Sequence, residues 1–132
     1  MERADTSIFR AMKATPSNTP LCEDSARGLG VRVPTDIRPD HQGNVHPASG
    51  GMSVSPDDPH HLPVSLRPAS LKGYGKNPVF WLLTRGLGER LQFRRDPMKP
   101  DYHGYVEPAC SMQLGAYRAA LCETAPRWRI LP

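Results

Sequence analysis

Ser7-Ile8-Phe9-Arg10-Ala11-Met12-Lys13 sets apolar residues on both faces of an extended segment, which predicts a strand. Ile8, Arg10 and Met12 share one of its faces, and Phe9, Ala11 and Lys13 the other. Val79 to Thr84 is apolar on both faces, the pattern of a strand buried inside a sheet. Leu91-Gln92-Phe93-Arg94 alternates cleanly. His103-Gly104-Tyr105-Val106-Glu107 gives a further strand stopped by Pro108, Trp128 to Leu131 a terminal one, and Asn44-Val45-His46 a fragment. Helical signals are confined to two places. Glu23 to Leu29 predicts a short helix ended by Gly28 or Gly30. Met112 to Glu123 predicts a longer one capped by Ser111, with Met112, Leu114, Ala116, Tyr117, Ala120 and Leu121 apolar and Gln113, Arg118 and Glu123 nearer solvent. Strands with one clear late helix place the fold in the α+β class.

Between these elements the chain is irregular. Residues 14–20 form a polar turn, and Val31 to Pro47 is broken by Pro34, Pro39, Gly43 and Pro47. HPASGGMSVSPDDPHHLP, residues 46–63, and Arg67 to Asn77 read as long loops, the first with Gly50-Gly51-Met52-Ser53-Val54 opening a strand-like piece. Proline makes up 15 of 132 residues, about twice the usual ~5% share. Apolar clusters such as Val79-Phe80-Trp81-Leu82-Leu83 oppose disorder, so the expectation is one folded domain, 1–132, with stiffened loops.

The formal net charge of +4 and a pI near 9.2 favour an anionic partner. The basic residues are scattered, so nucleic acid is an unlikely one. Cys22, Cys110 and Cys122 lack metal spacing, and the last two are too far apart along one helix to bridge; reduced thiols of a cytoplasmic protein fit. No apolar run reaches the ~18 residues of a membrane span, and MERADTS lacks the apolar region of a signal peptide. His41 and His46 lie in loops and His60-His61 point apart, which predicts no metal site. Gly50-Gly51-Met52-Ser53 does not make a nucleophile elbow, and Gly73-Tyr74-Gly75-Lys76 lacks the strand-to-helix context of a phosphate loop.

A more coherent set is Arg10, the Gly50-to-Val54 stretch, His103 and Glu107. Arginine offers a planar fork to pyrophosphate, and paired glycines let backbone amides approach a ligand. A late carboxylate can hold a ribose hydroxyl and stabilise positive charge developing at the sugar. The plain alternatives are a surface arginine, an ordinary turn and a solvated strand end.

Ile8-Phe9-Arg10-Ala11, the Pro47-to-Val54 stretch, and Asp96 followed by His103-Gly-Tyr-Val-Glu107-Pro108-Ala-Cys-Ser-Met112 resemble, in that order, the motifs of Tse2-type ADP-ribosyltransferase-fold bacterial toxins. They cover roughly a third of the chain. The resemblance implies an ADP-ribosyltransferase-like fold, with split mixed or antiparallel sheets, few short helices and long loops. It also implies NAD as substrate, an unidentified macromolecular target in the cytoplasm, and a cognate antitoxin or immunity protein. Arg10 would bind the dinucleotide phosphates, and Gly50, Gly51, Met52 and Ser53 would form the cleft floor. Ser53, His103 and Glu107 would serve catalysis. Two other classes stay open. One is a non-enzymatic binding module using Tyr74, Trp81, Tyr102 and Tyr105; the other is a small basic nucleic-acid binder or RNase, supported by charge alone.

Overall fold

Among the described residues, five strands of five residues and three of two are built where alternation or apolar runs permit them. The computed structural model describes residues 5–132. The strands are β1 (Ser7–Ala11), β2 (Asn44–Val45), β3 (Met52–Pro56), β4 (Val79–Leu83), β5 (Leu91–Arg95), β6 (Gly104–Pro108), β7 (Met112–Gln113) and β8 (Arg129–Ile130). One α-helix, α1, spans Leu114–Glu123. Six strands form a sheet in the order β5-β6-β3-β1-β4-β8, and β2 pairs with β7 in a separate ribbon. Every pairing is antiparallel. The fold is α+β, as the pattern of elements predicts. Among the described residues, no helix is long and apolar enough to cross a membrane.

β3 changes partners along its length, and this positions everything that follows. Its last residues pair with β1, Pro56 opposite Ile8 and Ser55 opposite Phe9. Its first residues pair with β6, Met52 opposite Val106 and Val54 opposite Gly104. The β1–β3 ladder thus ends just before Arg10, and the sheet splits there.

Both faces of the sheet are covered. On one, α1 sinks Tyr117, Ala120 and Leu121 into a cluster with Ile8, Met12, Phe80 and Val106. Complete burial of one such apolar side chain contributes about 1.5–3 kcal/mol. Tyr117 satisfies its hydroxyl inside that core, donating to Val106 O and accepting from Met52 N, and so ties α1 to β6 and β3. Burial raises the pKa of this phenol. A second cluster of Phe9, Leu62 and Val79, with Leu66, Leu71 and Trp81 against it, is closed by the proline-rich segment that follows β3.

Three expectations need correcting. Glu23 to Leu29 is a string of turns and bends rather than a helix, because the carbonyls of Ser25, Ala26 and Gly28 turn toward Arg10 instead of along a helix axis. The late helix begins at Leu114; Met112 and Gln113 pair with β2, and Gln113 occupies the cap position without a side-chain bond to the helix, its amide donating to Asn44 Oδ1 instead. Ser111 therefore does not cap it and instead meets His46.

Candidate functional site

Arg10 stands where the sheet splits, and it is buried rather than on a surface edge, with 7% of its area exposed. Its side chain is enclosed by the turns over residues 25–28 and by the first part of β3. Its guanidinium donates from Nε and Nη2 to Gly28 O (3.2 and 2.9 Å), from Nη1 to Ser53 O (2.8 Å), and from Nη2 to Ser25 O and Ala26 O (both 3.3 Å). No carboxylate pairs with it among the described residues. Burial lowers its pKa to about 10, the nearby Asp36 opposing the shift, and the group stays cationic at neutral pH. Carbonyl dipoles at hydrogen-bond distance and the field of Asp36, which makes no ion pair with it, offset the desolvation of this charge.

Around that centre lies a branched furrow. A cavity of about 240 Å³ is lined by Arg10, Arg32, Asp36, Ser53 and His103. A second, of about 470 Å³, shares Arg32, Asp36, Ser53 and His103 with it and adds Gly50 and Gly51. A third, of about 820 Å³, is lined by His103 together with Asp96, Tyr102 and His61. His103 is the residue common to all three. Together they are ample for a small-molecule site, for which ~300–1,000 Å³ is usual.

His103 is oriented by its neighbours. Its Nδ1 lies 2.9 Å from Asp96 Oδ2, and its ring packs edge-on against Tyr105, centroids 4.8 Å apart. The hydrogen bond from His103 and a second from Met98 N hold the Asp96 carboxyl below its ordinary value. An ionised carboxylate only accepts, so it fixes the proton of neutral His103 on Nδ1. Nε2, without a protein partner among the described residues, is left as a free acceptor.

The structure brings some of the anticipated residues together and separates others. Arg10, Ser53 and His103 share one cavity, and Gly50, Gly51, Ser53 and His103 another. Met52 does not belong with them. Strand alternation turns it into the core, 1% exposed, while Ser53 on the opposite face lines the furrow. The glycines line the furrow too, but backbone contacts already account for them. Gly50 has φ +110° and its missing Cβ would collide with Asp36 O; a Cβ on Gly51 would sit 2.6 Å from Val106 O.

Glu107 also lies outside the furrow. It is 1% exposed and locked: Oε1 accepts from Arg94 Nε at 2.7 Å and Ala48 N at 3.2 Å, Oε2 from Gln92 Nε2 at 2.7 Å. Arg94 in turn stacks over Tyr105 at 4.9 Å. The expected catalytic carboxylate is instead a pin for the turn that leads into β3.

Arg32 and Asp36, which the sequence reading passed over, complete the furrow wall. Asp36 takes a fork from Arg32 Nε and Nη2 (3.1 and 3.0 Å) and the Arg32 backbone N–H at 2.7 Å. Its own carbonyl accepts from Gly51 N at 2.9 Å, which hangs this loop on the entrance to β3. The signal was available as an arginine and an aspartate four apart around a proline turn. Among the described residues, no three of His, Cys, Asp or Glu gather where one metal ion could be held. No family model, curated protein or solved structure matches this chain.

Proposed function

We propose that this chain is an NAD-using, ADP-ribosyltransferase-like toxin domain whose dinucleotide lies in the furrow at the sheet split. The observation that carries the proposal is the buried Arg10 cation lining the furrow without a carboxylate partner. An anionic pyrophosphate above it would supply the missing charge at short range, where a low dielectric makes the attraction strong. Arg32 adds a half-exposed guanidinium on the same wall. The splitting of the antiparallel sheet and the order of the three sequence motifs support the same fold family.

Within this reading the residues divide the work. Arg10 holds the shape of the split and contributes field, since its N–H groups are largely committed to carbonyls. Gly50 and Gly51 let the furrow floor pack against the Asp36 and Val106 backbone, and Ser53 offers a hydroxyl beside the ligand. The chemistry is displacement of nicotinamide from the ribose C1′ by an oxygen nucleophile of the target: the glycosidic C–N bond breaks and a C–O bond forms. His103 Nε2 accepts the proton of that nucleophile, and ionised Asp96 stabilises the resulting imidazolium. Nicotinamide leaves neutral.

One observation favours a second reading, a dinucleotide binder without turnover: Glu107 is withdrawn from the furrow. A thermal-shift series with NAD, ADP-ribose and RNA, beside chromatographic measurement of nicotinamide, tests both. Stabilisation by NAD and ADP-ribose is expected, about 2.7 kcal/mol at a hundredfold excess over Kd. Nicotinamide release separates the enzyme from the binder. Stabilisation by RNA alone, or by none of the three, contradicts the proposal.

A further inference from the structure

Away from the furrow, the two-stranded ribbon carries a separate cluster. Val45 pairs with Met112, so the next residues outward, His46 and Ser111, face each other across the ribbon end. Ser111 Oγ and His46 Nδ1 are 2.7 Å apart, and His46 Nε2 is 2.8 Å from Asp40 Oδ2. Local chain geometry brings Asp40 there. A tight turn with Gly43 N on Asp40 O, and Gly43 at φ +81°, folds the segment back, and Asp40 N bonds Asn44 O at 2.9 Å. Asp40 Oδ1 accepts from Gln42 N and Asn44 N (2.9 and 3.0 Å), which leaves Oδ2 aimed at the imidazole. His46 is braced in turn by its backbone N–H to Ser49 Oγ at 3.4 Å.

The donor and acceptor roles follow from the chain of contacts. Those bonds, first from Asn44 N and then from His46, hold the Asp40 carboxyl down to about 2, so it is ionised and only accepts. Neutral His46 therefore carries its proton on Nε2, which leaves Nδ1 to accept from the Ser111 hydroxyl. Nucleophile, base and orienting carboxylate stand in a row, each within hydrogen-bond reach of the next, which is the arrangement that activates a serine. The ring nitrogens are used in the opposite sense from the familiar serine-protease order, with Ser111 Oγ 2.7 Å from the nitrogen that would take its proton. Ser111 is exposed, so a small ester can reach it.

We propose that Ser111 is a nucleophile activated by His46 and Asp40, taking acyl groups from small, unhindered carboxylic esters. Ser111 Oγ attacks the ester carbonyl and forms the new O–C bond while its proton passes to His46 Nδ1. The ester's own C–O bond then breaks, and its alcohol departs with the proton from His46. Asp40 stays ionised throughout and holds the imidazolium. Asp40, His46 and Ser111 do not line the furrow, which reaches this cluster only through Ser49.

The test uses the whole chain with p-nitrophenyl acetate, followed by peptide mass spectrometry to locate the acetyl group. Exposed Ser17, Ser65 and Ser70 in the same molecule serve as internal controls, so the readout does not depend on any variant folding. Acetylation at Ser111 at least ~10²-fold faster than at the controls is expected, the lower end of general-base assistance. His46→Gln should bring Ser111 down to the control rate, and Asp40→Asn should fall between. Acetylation of Ser111 at the rate of the control serines overturns the proposal and leaves the cluster a structural tie. So does an unchanged Ser111 rate in folded His46→Gln.

Discussion

Replacing Glu107 separates a structural carboxylate from a catalytic one, and the contacts set the size of each effect. Glu107→Ala removes three acceptor contacts at once. Arg94, with 31% of its side chain exposed, can turn to water. Ala48 N and the Gln92 amide are less free, and each stranded donor costs about 1–3 kcal/mol. A vacated volume adds to this. The expected loss is about 3–4 kcal/mol, or a midpoint lower by about 10–15 °C for a chain of this size. Glu107→Gln behaves differently. Its amide oxygen can keep Arg94 and Ala48, and its NH₂ then faces the Gln92 NH₂ unless that side chain turns over to present its oxygen. Weakening one charge-assisted bond in this way costs about 1–2 kcal/mol. Thermal unfolding by circular dichroism measures both variants, and calorimetric titration with NAD measures the furrow. A folded Glu107→Gln of parental stability that binds NAD normally but turns over ~10²-fold more slowly would refute the reasoning, because that pattern belongs to a charge acting only in the transition state.

Other outcomes follow from the same contacts. Arg10→Ala should destabilise by about 2–4 kcal/mol, from stranded carbonyl acceptors and the vacated volume, since Gly28 O has no other donor among the described residues; denaturant unfolding with an unchanged midpoint contradicts this. Gly51→Val should fold poorly rather than merely lose ligand, because its Cβ would press on the β6 backbone; a parental melting curve would show that the close approach is not rigid. Acid sensitivity should fall in a narrow window. Asp40 is held from 3.8 down to about 2 in the folded chain, so its stabilisation is present above its unfolded value and is lost as pH drops from about 4 through about 2. Asp96, shifted in the same direction, adds to that loss. Asp40→Asn should flatten the pH–stability curve there, and a curve as steep as the parent's would contradict the assignment.

How far the sequence foretold this depends on the range of each interaction. The strands were legible because alternation is local: Ile8 and Met12 point into the core, and Val79 to Leu83 is covered on both faces, as its pattern demands. Pro108 ends β6 where it was expected to stop the strand. Failures came where a distant group overrode local preference. Glu23 to Leu29 has helical composition, but an arginine fifteen or more residues before them claims the carbonyls of Ser25, Ala26 and Gly28. Ser111 looks like a helix cap until a β2 strand some 65 residues away captures Met112 and Gln113. The candidate site divides in the same way. Ser53 was separable from Met52 by alternation alone. The sequestering of Glu107 was invisible, since it depends on Gln92 and Arg94 from the neighbouring strand and on the Ala48 turn. The clustering of Asp40, His46 and Ser111 likewise exists only once the ribbon has formed.

The central claim is that the furrow at the sheet split takes a dinucleotide beside His103. Calorimetric titration of ADP-ribose into the parent chain and into His103→Gln, Ser53→Ala and the distant control Ser70→Ala tests it most directly. ADP-ribose carries the pyrophosphate and both riboses but has no bond to break, so turnover cannot obscure binding. The account predicts one site per chain, unchanged in Ser70→Ala and weakened about tenfold or more in the two furrow variants, with all four proteins folded by circular dichroism. No heat of binding in the parent, or equal affinity in all four proteins, would contradict it.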